Sequence, residues 1–566
     1  MGKTPNMRCC PSARQELLHR AAVWAAAVAP PLRAGPRGLA AAVSPVGLEL
    51  VTLTEDRAIF TWYTGVPGTD DGCGRMLPAA TDGEIVFGTH PGRLTRRVGE
   101  EHRTAYHQVE ITGLEPGRTY YYQALSYGRA ALPTPLCLVA GNAAGTSPYG
   151  LGTAGGPYAF TTPQPPPGRY LFAVALCNDL HLGETTAGRI AGVPKLPGFP
   201  LLQGVSQPEG FAPYPELMGR ALVAEAVRRG ADYLLAAGDI SAEAGQADLR
   251  KAKEILDTFG PHGERYFITR GNHDRPRARD GFRDAFSPGG GPTYFARDLG
   301  GLRVVGLDTY DKPGNGGDSG GLSPEQLSWF LRGLREHRDQ PTVVFGHHPL
   351  SVPHSPFPAT RGQHLGRRQA RAILAAYDAA PGVFLHHAGH THRNKRSISL
   401  RAPRVTLQEV SAVKEYPGGF CLLRVHTGGF ALNYYKAGEA AAREWSERSR
   451  SQAAGLWPQF ALGRSVRDRN SVTARDLSGV HRPAHRASAP QEGPFTGVAH
   501  EAPYAGARRA SSVPPPQVSG PSVNGPVDLS GPSVNGPAGA SRPSVYGPAG
   551  VDRAPGQRAE GGTPWE

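Results

Sequence analysis

Two hydrophobic patterns follow each other along the chain. Between residues 45 and 163, short apolar and β-branched runs are bounded by Gly, Pro and Asp turns, and no helical periodicity lies between them. A series of short strands without helices is typical of an all-β sandwich. We therefore assign a first domain to residues 45–163. Its predicted strands are residues 47–53, 58–63, 84–87, 106–111 and 119–124.

The second pattern begins after a Pro-rich linker at residues 163–168 and alternates strands with helices. Such alternation is typical of an α/β domain, which we assign to residues 168–437. One helix is marked by Ser323 as its N-cap with Pro324 in its first turn. Residues 405–410, 419–426 and 430–435 are predicted to be closing antiparallel strands. The other predicted elements are helices at 217–229 and 247–259 and strands at 170–176, 233–237, 265–269, 302–307, 342–345 and 383–385.

Both ends of the chain lack this order. Residues 438–566 are predicted to be a disordered tail rich in Pro, Gly and Ser, with similar hexapeptides beginning at Pro521, Pro532 and Pro543. Residues 1–44 combine scattered Lys and Arg with an Ala-rich apolar stretch. They are either a signal peptide or a disordered segment, so the sequence leaves both secretion and cytoplasmic retention open.

Composition narrows the class of protein. A hydrophobic content of 39% in 566 residues supports several cores, and no apolar run approaches the roughly 20 residues that span a bilayer. The net charge of +13 comes from scattered Arg without a dense basic block, so no nucleic-acid surface is indicated. Six Cys do not make a disulfide framework; Cys73 and Cys137 are either one bridge or free thiols. Oligomeric state is not predicted.

Five polar motifs follow predicted strands of the α/β domain. Because the carboxyl ends of parallel strands meet at one edge of a sheet, we expect their side chains to converge. A Gly-Asp turn is ordinary by itself, whereas imidazoles placed in tight Gly turns have no packing rationale. The motifs are Asp179-Leu-His181, Gly238-Asp239, Gly271-Asn-His-Asp274, His347-His-Pro349 and Gly389-His-Thr-His392.

These residue types are metal ligands. Oxygen and imidazole donors without Cys suit Mn, Fe, Zn, Co or Ni. Two such ions can bind phosphoryl oxygens and lower the pKa of a bridging water molecule, whose hydroxide attacks phosphorus. The motifs therefore predict a transition-metal site, and such a site can support hydrolysis.

The same motifs resemble the calcineurin-like metallophosphoesterase superfamily over about residues 170–435. The resemblance implies a four-layer αββα sandwich and two metal ions bridged by Asp239. It also implies hydrolysis of a small-molecule phosphate ester, a monoester or a diester. It implies that Asp179, His181 and His392 complete the first metal site, and that Asn272, His347 and His390 complete the second. His347 is preferred over His348 because the ligand is expected two positions before the Pro. It further implies His273 as the general acid, oriented by Asp274. His348 and Arg275 are candidates for substrate contact.

The first domain resembles a fibronectin type III domain, and more narrowly the one that precedes the catalytic domain of purple acid phosphatases. Residues 112–121 carry this likeness together with Trp62 and the Phe160-Thr-Thr-Pro exit. Those phosphatases, however, have Gly where this chain has His181 and Tyr where it has Ala242. The catalytic half therefore looks more like the branch that contains cyclic-nucleotide and glycerophosphodiester phosphodiesterases. The alternative is a catalytically degenerate surface or binding protein that uses the sandwich and the tail.

Overall fold

The computed structural model describes residues 43–69, 75–133, 156–188, 204–312, 317–350, 364–452 and 457–483. Residues 1–42, the Cys73 and Cys137 pair and the Pro-rich repeats lie outside these ranges. Among the described residues no helix is long and apolar enough to cross a membrane.

The N-terminal region forms two antiparallel sheets, as expected. One sheet has the order β1-β2-β3 with β6 paired to β2, and the other has the order β5-β4-β7-β8 with β9 paired to β7. The strands are β1 (Ser44–Leu53), β2 (Ala58–Val66), β3 (Leu77–Pro78), β4 (Glu84–Gly88), β5 (Arg96–Gly99), β6 (Tyr106–Ile111), β7 (Thr119–Ser126), β8 (Arg129–Ala130) and β9 (Tyr158–Thr161).

Aromatic side chains join these two sheets. Phe60 of β2 and Tyr122 of β7 lie with their ring centroids 4.3 Å apart, and Phe160 of β9 packs against both. All three are buried in one core. Two sheets that enclose a shared apolar core form a β-sandwich, whereas the closer likeness to fibronectin type III stays a prediction.

The rest of the described chain alternates strands and helices. The strands are β10 (Tyr170–Cys177), β11 (Thr186–Ala187), β12 (Val205–Ser206), β13 (Tyr233–Ala237), β14 (Tyr266–Thr269), β15 (Phe295–Leu299), β16 (Leu302–Leu307), β17 (Thr342–Gly346), β18 (Val383–Ala388), β19 (Lys395–Ser399), β20 (Ala402–Glu409), β21 (Gly419–His426), β22 (Gly429–Lys436) and β23 (Asn470–Ala474). The helices are α1 (Tyr214–Arg228), α2 (Gln246–Asp257), α3 (Gly281–Phe286), α4 (Pro324–Glu336), α5 (Arg367–Ala379), α6 (Ala440–Ser449) and α7 (Trp457–Ala461). A short 3₁₀ helix spans Val466–Asp468.

Two six-stranded sheets pack face to face in this domain. Their orders are β14-β13-β10-β21-β22-β23 and β15-β16-β17-β18-β20-β19. The core between them combines Val174 and Leu235 of the first sheet with Val343 and Phe345 of the second. Helices α1, α2 and α6 cover the outer face of the first sheet, and α4 and α5 cover that of the second. The arrangement is a four-layer α/β sandwich.

The parallel strands of both sheets end at the functional edge. In the first sheet β10, β13 and β14 are parallel, and in the second β16, β17, β18 and β20 are parallel. Residues 405–410 were expected to form an antiparallel closing strand, but β20 lies parallel to β18 and pairs antiparallel only with β19. The β19 strand, which the sequence pattern did not reveal, makes the return that allows this pairing.

The region after residue 437 differs from the prediction. It was expected to be disordered, yet α6, α7 and β23 form between residues 440 and 474, and β23 extends the first sheet by pairing with β22. Trp445 and Arg469 are almost completely buried there. The apolar residues of this region are too sparse to form a periodic pattern, but Trp445 stacks on Tyr214 and joins the core beside the first sheet. Residues from 484 onward lie outside the described part.

A buried carboxylate joins the β-sandwich to the catalytic sandwich. Glu49 of β1 accepts hydrogen bonds from Tyr416 Oη at 2.5 Å and Lys436 Nζ at 2.8 Å, and Arg450 lies 2.7 Å away. Burial by itself would raise the pKa of Glu49, but Arg450 and Lys436 lower it to about 2. The carboxylate is therefore charged at neutral pH and ties the two domains together.

We expect Trp445→Ala to lower the free energy of unfolding by about 3–5 kcal/mol, because it empties a fully buried site. The indole ring stacks on Tyr214 with centroids 4.1 Å apart, so its loss also uncouples α6 from α1. Urea unfolding monitored by far-ultraviolet circular dichroism, a backbone signal that does not require the tryptophan, measures the change. The control is Leu400→Ala, which alters a side chain that is 99% exposed and should shift stability by less than about 0.5 kcal/mol. Equal effects of the two changes would contradict the ordered role of α6.

Candidate metal centre

The five motifs meet at the carboxyl ends of the two sheets. Asp179, Asp239 and Asn272 follow β10, β13 and β14 of the first sheet. His347 and His390 follow β17 and β18 of the second. Since the sheets face each other, side chains from both reach one point. The predicted ligands of both metal sites lie in this cluster.

One group of donors is formed by Asp179, His181 and His392, whose ligand atoms all lie within 4.8 Å of one another. Oδ1 of Asp179 lies 3.2 Å from Nε2 of His392 and 3.6 Å from Nε2 of His181. Nε2 of His181 is also 3.5 Å from Oδ2 of Asp239. These four residues are the ones predicted for the first metal site.

A second group surrounds Nε2 of His347. This atom lies 3.1 Å from Oδ2 of Asp239, 3.0 Å from Oδ1 of Asn272 and 3.0 Å from Nδ1 of His390. The other ring nitrogen of His347 donates to the Ala237 carbonyl at 2.9 Å, which directs Nε2 into the cluster. Asp239 belongs to both groups, in the position expected of a bridge.

The backbone at this edge is strained. Five of the predicted ligands have left-handed φ angles between 48° and 66°, a region that non-glycine residues seldom adopt. Gly271 lies so close to Asp239 that a Cβ atom would meet its Oδ1 at 2.2 Å. Strain of this kind persists only where the surrounding structure fixes it, and it is concentrated at functional sites. The strained ligands are Asp179, His181, Asp239, His390 and His392.

Buried charges define the electrostatics of the site. Burial opposes ionisation of Asp179, but His392 and His181 hold its pKa well below the usual range. Burial likewise disfavours charge on the imidazoles, yet Asp239 raises the pKa of His347 to about 9 and Asp179 raises that of His392 to about 10. Burial, reinforced by His347, lowers the pKa of His390 to about 3. In the protein without metal, protons on two imidazoles therefore balance the two carboxylates.

The donor set fits metal ions. Oδ1 of Asp179, Nε2 of His181 and Nε2 of His390 are buried without a hydrogen-bond partner. Nε2 of His347 and Nδ1 of His390 point at each other across 3.0 Å, an arrangement that only a shared proton or a shared cation satisfies. Carboxylate, amide and imidazole donors without thiolates suit first-row transition metals.

His273 is held differently from the prediction. Its Nδ1 lies 2.6 Å from the Ala242 carbonyl, and its backbone N–H donates to Oδ1 of Asp239 at 2.8 Å. Asp274 was expected to orient this ring, but its carboxylate accepts instead from the N–H groups of Ile240, Ser241 and Gly271 and from the Ser241 hydroxyl. A carbonyl, not a carboxylate, therefore orients His273, and Asp274 joins two ligand loops.

The two candidate substrate contacts have different environments. His348 is completely buried, and its two ring nitrogens already contact Thr309 Oγ1 at 2.7 Å and the Asp318 carbonyl at 2.9 Å. Both ring nitrogens of His348 therefore have partners within the protein, and His348 also forms with His347 and His390 a group of donors that could hold a metal ion. Arg275 is partly exposed and lies 3.6 Å from the Asp318 carboxylate at the mouth of the site, so it remains a candidate.

Sequence reasoning missed a set of buried charges behind the first donor group. Glu184 and Glu415 approach Nδ1 of His181 and of His392, and Lys414 lies between the two carboxylates. Glu184 follows His181 by three residues, a spacing that could have drawn notice. Glu415 and Lys414 belong to no motif and are brought in by the fold alone.

The α/β domain is similar in sequence to known proteins. Residues 172–394 match the calcineurin-like phosphoesterase family. Over 168 residues the chain is 26% identical to a probable glycerophosphodiester phosphodiesterase, GpdQ, of Arcobacter nitrofigilis. That alignment covers 29% of this chain and 57% of the relative, so the chain spans little more than half of the relative's length. Residues 172–394 are thus similar to calcineurin-like phosphoesterases.

Solved structures with a similar arrangement include a dimetal phosphatase from Danio rerio, at 15% identity and a TM-score of 0.37, covering 48% of this chain and 98% of that one. A purple acid phosphatase from yellow lupin, Lupinus luteus, is 14% identical with a TM-score of 0.34, covering 70% of this chain and 73% of that one.

We expect metal affinity to rise with pH between 6 and 8. The raised pKa values of His347 and His392 mean that a metal ion must displace two protons, so affinity should increase by up to about a hundredfold per pH unit. Titration of metal-free protein with Mn²⁺, followed by electron paramagnetic resonance of the free ion, measures this slope. A dissociation constant that is independent of pH over this range would contradict the protonated state.

Proposed function

We propose that this protein is a binuclear metal-dependent hydrolase of phosphate esters. The observation that carries the proposal is the overlap of the donor groups: Asp179 and Asp239 each lie within reach of imidazoles from both sheets. A carboxylate placed between two donor sets is what a pair of neighbouring ions requires.

In this proposal two metal ions have separate sets of ligands, and Asp239 belongs to both sets. When bound, the ions supply Lewis-acid stabilisation of the phosphoryl charge and lower the pKa of a water molecule. The chain's own contribution is to fix the donors through strained loops and to exclude solvent from the carboxylates. The first ion would be held by Asp179, His181, Asp239 and His392, and the second by Asp239, Asn272, His347 and His390.

His273 is proposed to protonate the leaving-group oxygen. Because Nδ1 donates to the Ala242 carbonyl, Nε2 is the nitrogen that can carry a transferable proton. The ring is half-buried and lies 4.6 Å from that of His181, which places it at the open side of the donor cluster. The short link from its backbone N–H to Asp239 fixes its position relative to the shared carboxylate.

The proposal also covers the class of substrate and the type of the N-terminal β-sandwich. The substrate is a small-molecule phosphate ester, and the choice between monoester and diester rests on relative rates. The β-sandwich is proposed to be fibronectin type III-like, similar to the domain that precedes the catalytic half of purple acid phosphatases.

We expect Asp239→Asn and Asn272→Ala each to reduce turnover at least about a thousandfold, or about 4 kcal/mol in activation free energy. Both changes remove a donor from the point where the two groups meet. Initial rates with p-nitrophenyl phosphate and bis-p-nitrophenyl phosphate, in the presence of added Mn, Zn, Fe, Co or Ni, measure the loss.

The matched control is Asp339→Asn, which changes a carboxylate that is 74% exposed and lies away from the cluster. It should retain full activity. Undiminished activity in both site variants would refute the ligand assignment. Wild-type protein that binds almost no metal after reconstitution would instead favour the degenerate binding protein.

We expect His273→Ala to discriminate between leaving groups. Loss of a general acid costs about 10²–10⁴ in rate when the leaving oxygen needs a proton. The decrease in turnover should therefore be large for phenyl or alkyl phosphates and small for p-nitrophenyl phosphate, whose leaving group departs without protonation. Equal losses on good and poor leaving groups would show that His273 binds the phosphoryl group and transfers no proton.

A further inference from the structure

Behind the first donor group, Lys414 lies between two acidic residues. Its Nζ is 2.5 Å from Oε1 of Glu184 and 3.2 Å from Oε2 of Glu415. The side chains of Lys414, Glu415 and Glu184 are 4%, 1% and 17% exposed, so water screens the Lys414–Glu415 pair little and reaches Glu184 only in part. The backbone N–H of Lys414 also donates to the Asp179 carbonyl at 3.3 Å, which places the trio against the first ligand loop.

Each of the two carboxylates approaches a different imidazole. Oε1 of Glu415 lies 2.8 Å from Nδ1 of His392 in a hydrogen bond. Oε2 of Glu184 lies 3.0 Å from Nδ1 of His181 as an ion pair whose angle is not that of a straight hydrogen bond. In both rings the opposite nitrogen, Nε2, faces Asp179.

We propose that Lys414 is a positioning residue which, through Glu184 and Glu415, holds His181 and His392 in the tautomer that directs Nε2 at the first metal site. The inference rests on the proposed function of this site. A carboxylate that accepts the Nδ1 proton leaves the Nε2 lone pair free and raises the basicity of the ring. One cation thus serves both histidines of that site.

Removal of the ammonium group should disrupt this arrangement. Without the ammonium group, Glu184 and Glu415 repel each other at a site with little water, so at least one of them moves away from its imidazole. A ring that loses the acceptor beside Nδ1 is no longer held in place, and its Nε2 is no longer fixed toward Asp179.

The trio is itself held rigidly. Tyr214 Oη of α1 donates to Oε1 of Glu184 at 2.7 Å, and the Trp445 indole of α6 donates to the Lys414 carbonyl at 2.7 Å. In the second donor group His347 is oriented by the neutral Ala237 carbonyl, and Asn272 contacts Asp318, so neither of these two residues depends on Lys414. The effect of Lys414 should therefore be confined to one of the two metal sites.

Metal retention by Lys414→Met tests the inference. Protein loaded with Zn²⁺ is dialysed against graded concentrations of a chelator, and the bound zinc is counted by elemental analysis. We expect wild-type protein to retain two ions, and Lys414→Met to lose one of them at about 10- to 100-fold lower chelator concentration. The other ion should be lost at the wild-type concentration. Lys414→Arg keeps the positive charge and should restore part of the retention.

Lys436→Met is the matched control. It also removes a buried lysine from a carboxylate, Glu49, but at the contact between the two domains. Zinc retention in this variant should equal that of wild type. Equal losses in the Lys414 and Lys436 variants would mean that a buried lysine matters only for folding, and would overturn the positioning role.

A compensated variant keeps the test decisive if Lys414→Met does not fold. Lys414→Met combined with Glu184→Gln removes one charge of each sign, which keeps the charge balance of the buried site, but His181 loses its carboxylate and Glu415 loses its ammonium partner. We expect it to fold and still to release one zinc ion early. Wild-type retention in this folded variant would refute the inference while leaving the proposed function intact. Wild-type protein that binds no zinc would instead refute the proposed function itself.

Discussion

The interaction on which the site depends is the burial of Asp179 and Asp239 among imidazoles. Each carboxylate is at most 1% exposed, and burying an unpaired charge costs several kcal/mol. Their charge persists because His347 and His392 are drawn into the cationic form beside them. The same electrostatic requirement makes the cluster a candidate metal site, since a divalent ion could take the place of these protons.

The loops that bring the donors together are strained, and the sheets bear that strain. Asp179, Asp239 and His390 adopt left-handed φ angles immediately after strands that lie in the centre of the two sheets. A conformation of this kind costs of order 1–3 kcal/mol for each residue. The core between the sheets fixes the strand ends, so the loops have no room to relax. The packing of the four layers therefore offsets the free-energy cost of the strained ligand loops.

Local signals in the sequence were sufficient to predict many of the strands and the donor cluster. The strands at 233–237, 302–307 and 419–426 match β13, β16 and β21 without error, because each is a continuous apolar run between clear turns. The rarity of imidazoles in Gly turns likewise led to the metal-ligand cluster. The orienting partner of His273 was missed because a backbone carbonyl, that of Ala242, leaves no trace in the residue types. Glu415 and Lys414 were missed because only the tertiary fold brings them beside His392 and Glu184.

A series of contacts links the β-sandwich to the first donor group. Glu415 reaches His392, and the next residue, Tyr416, donates its hydroxyl to Glu49 of the β-sandwich. The backbone N–H and carbonyl of Tyr416 are bound by Ser449 and Trp457, from the region that the sequence pattern had assigned to the tail. Contacts from three elements thus fix residues 414–416. In our proposal the side chains of Lys414 and Glu415 orient the imidazoles of the first donor group. The β-sandwich and the elements after residue 437 therefore hold this segment at its far end, Tyr416, and in this proposal neither supplies a donor to the cluster.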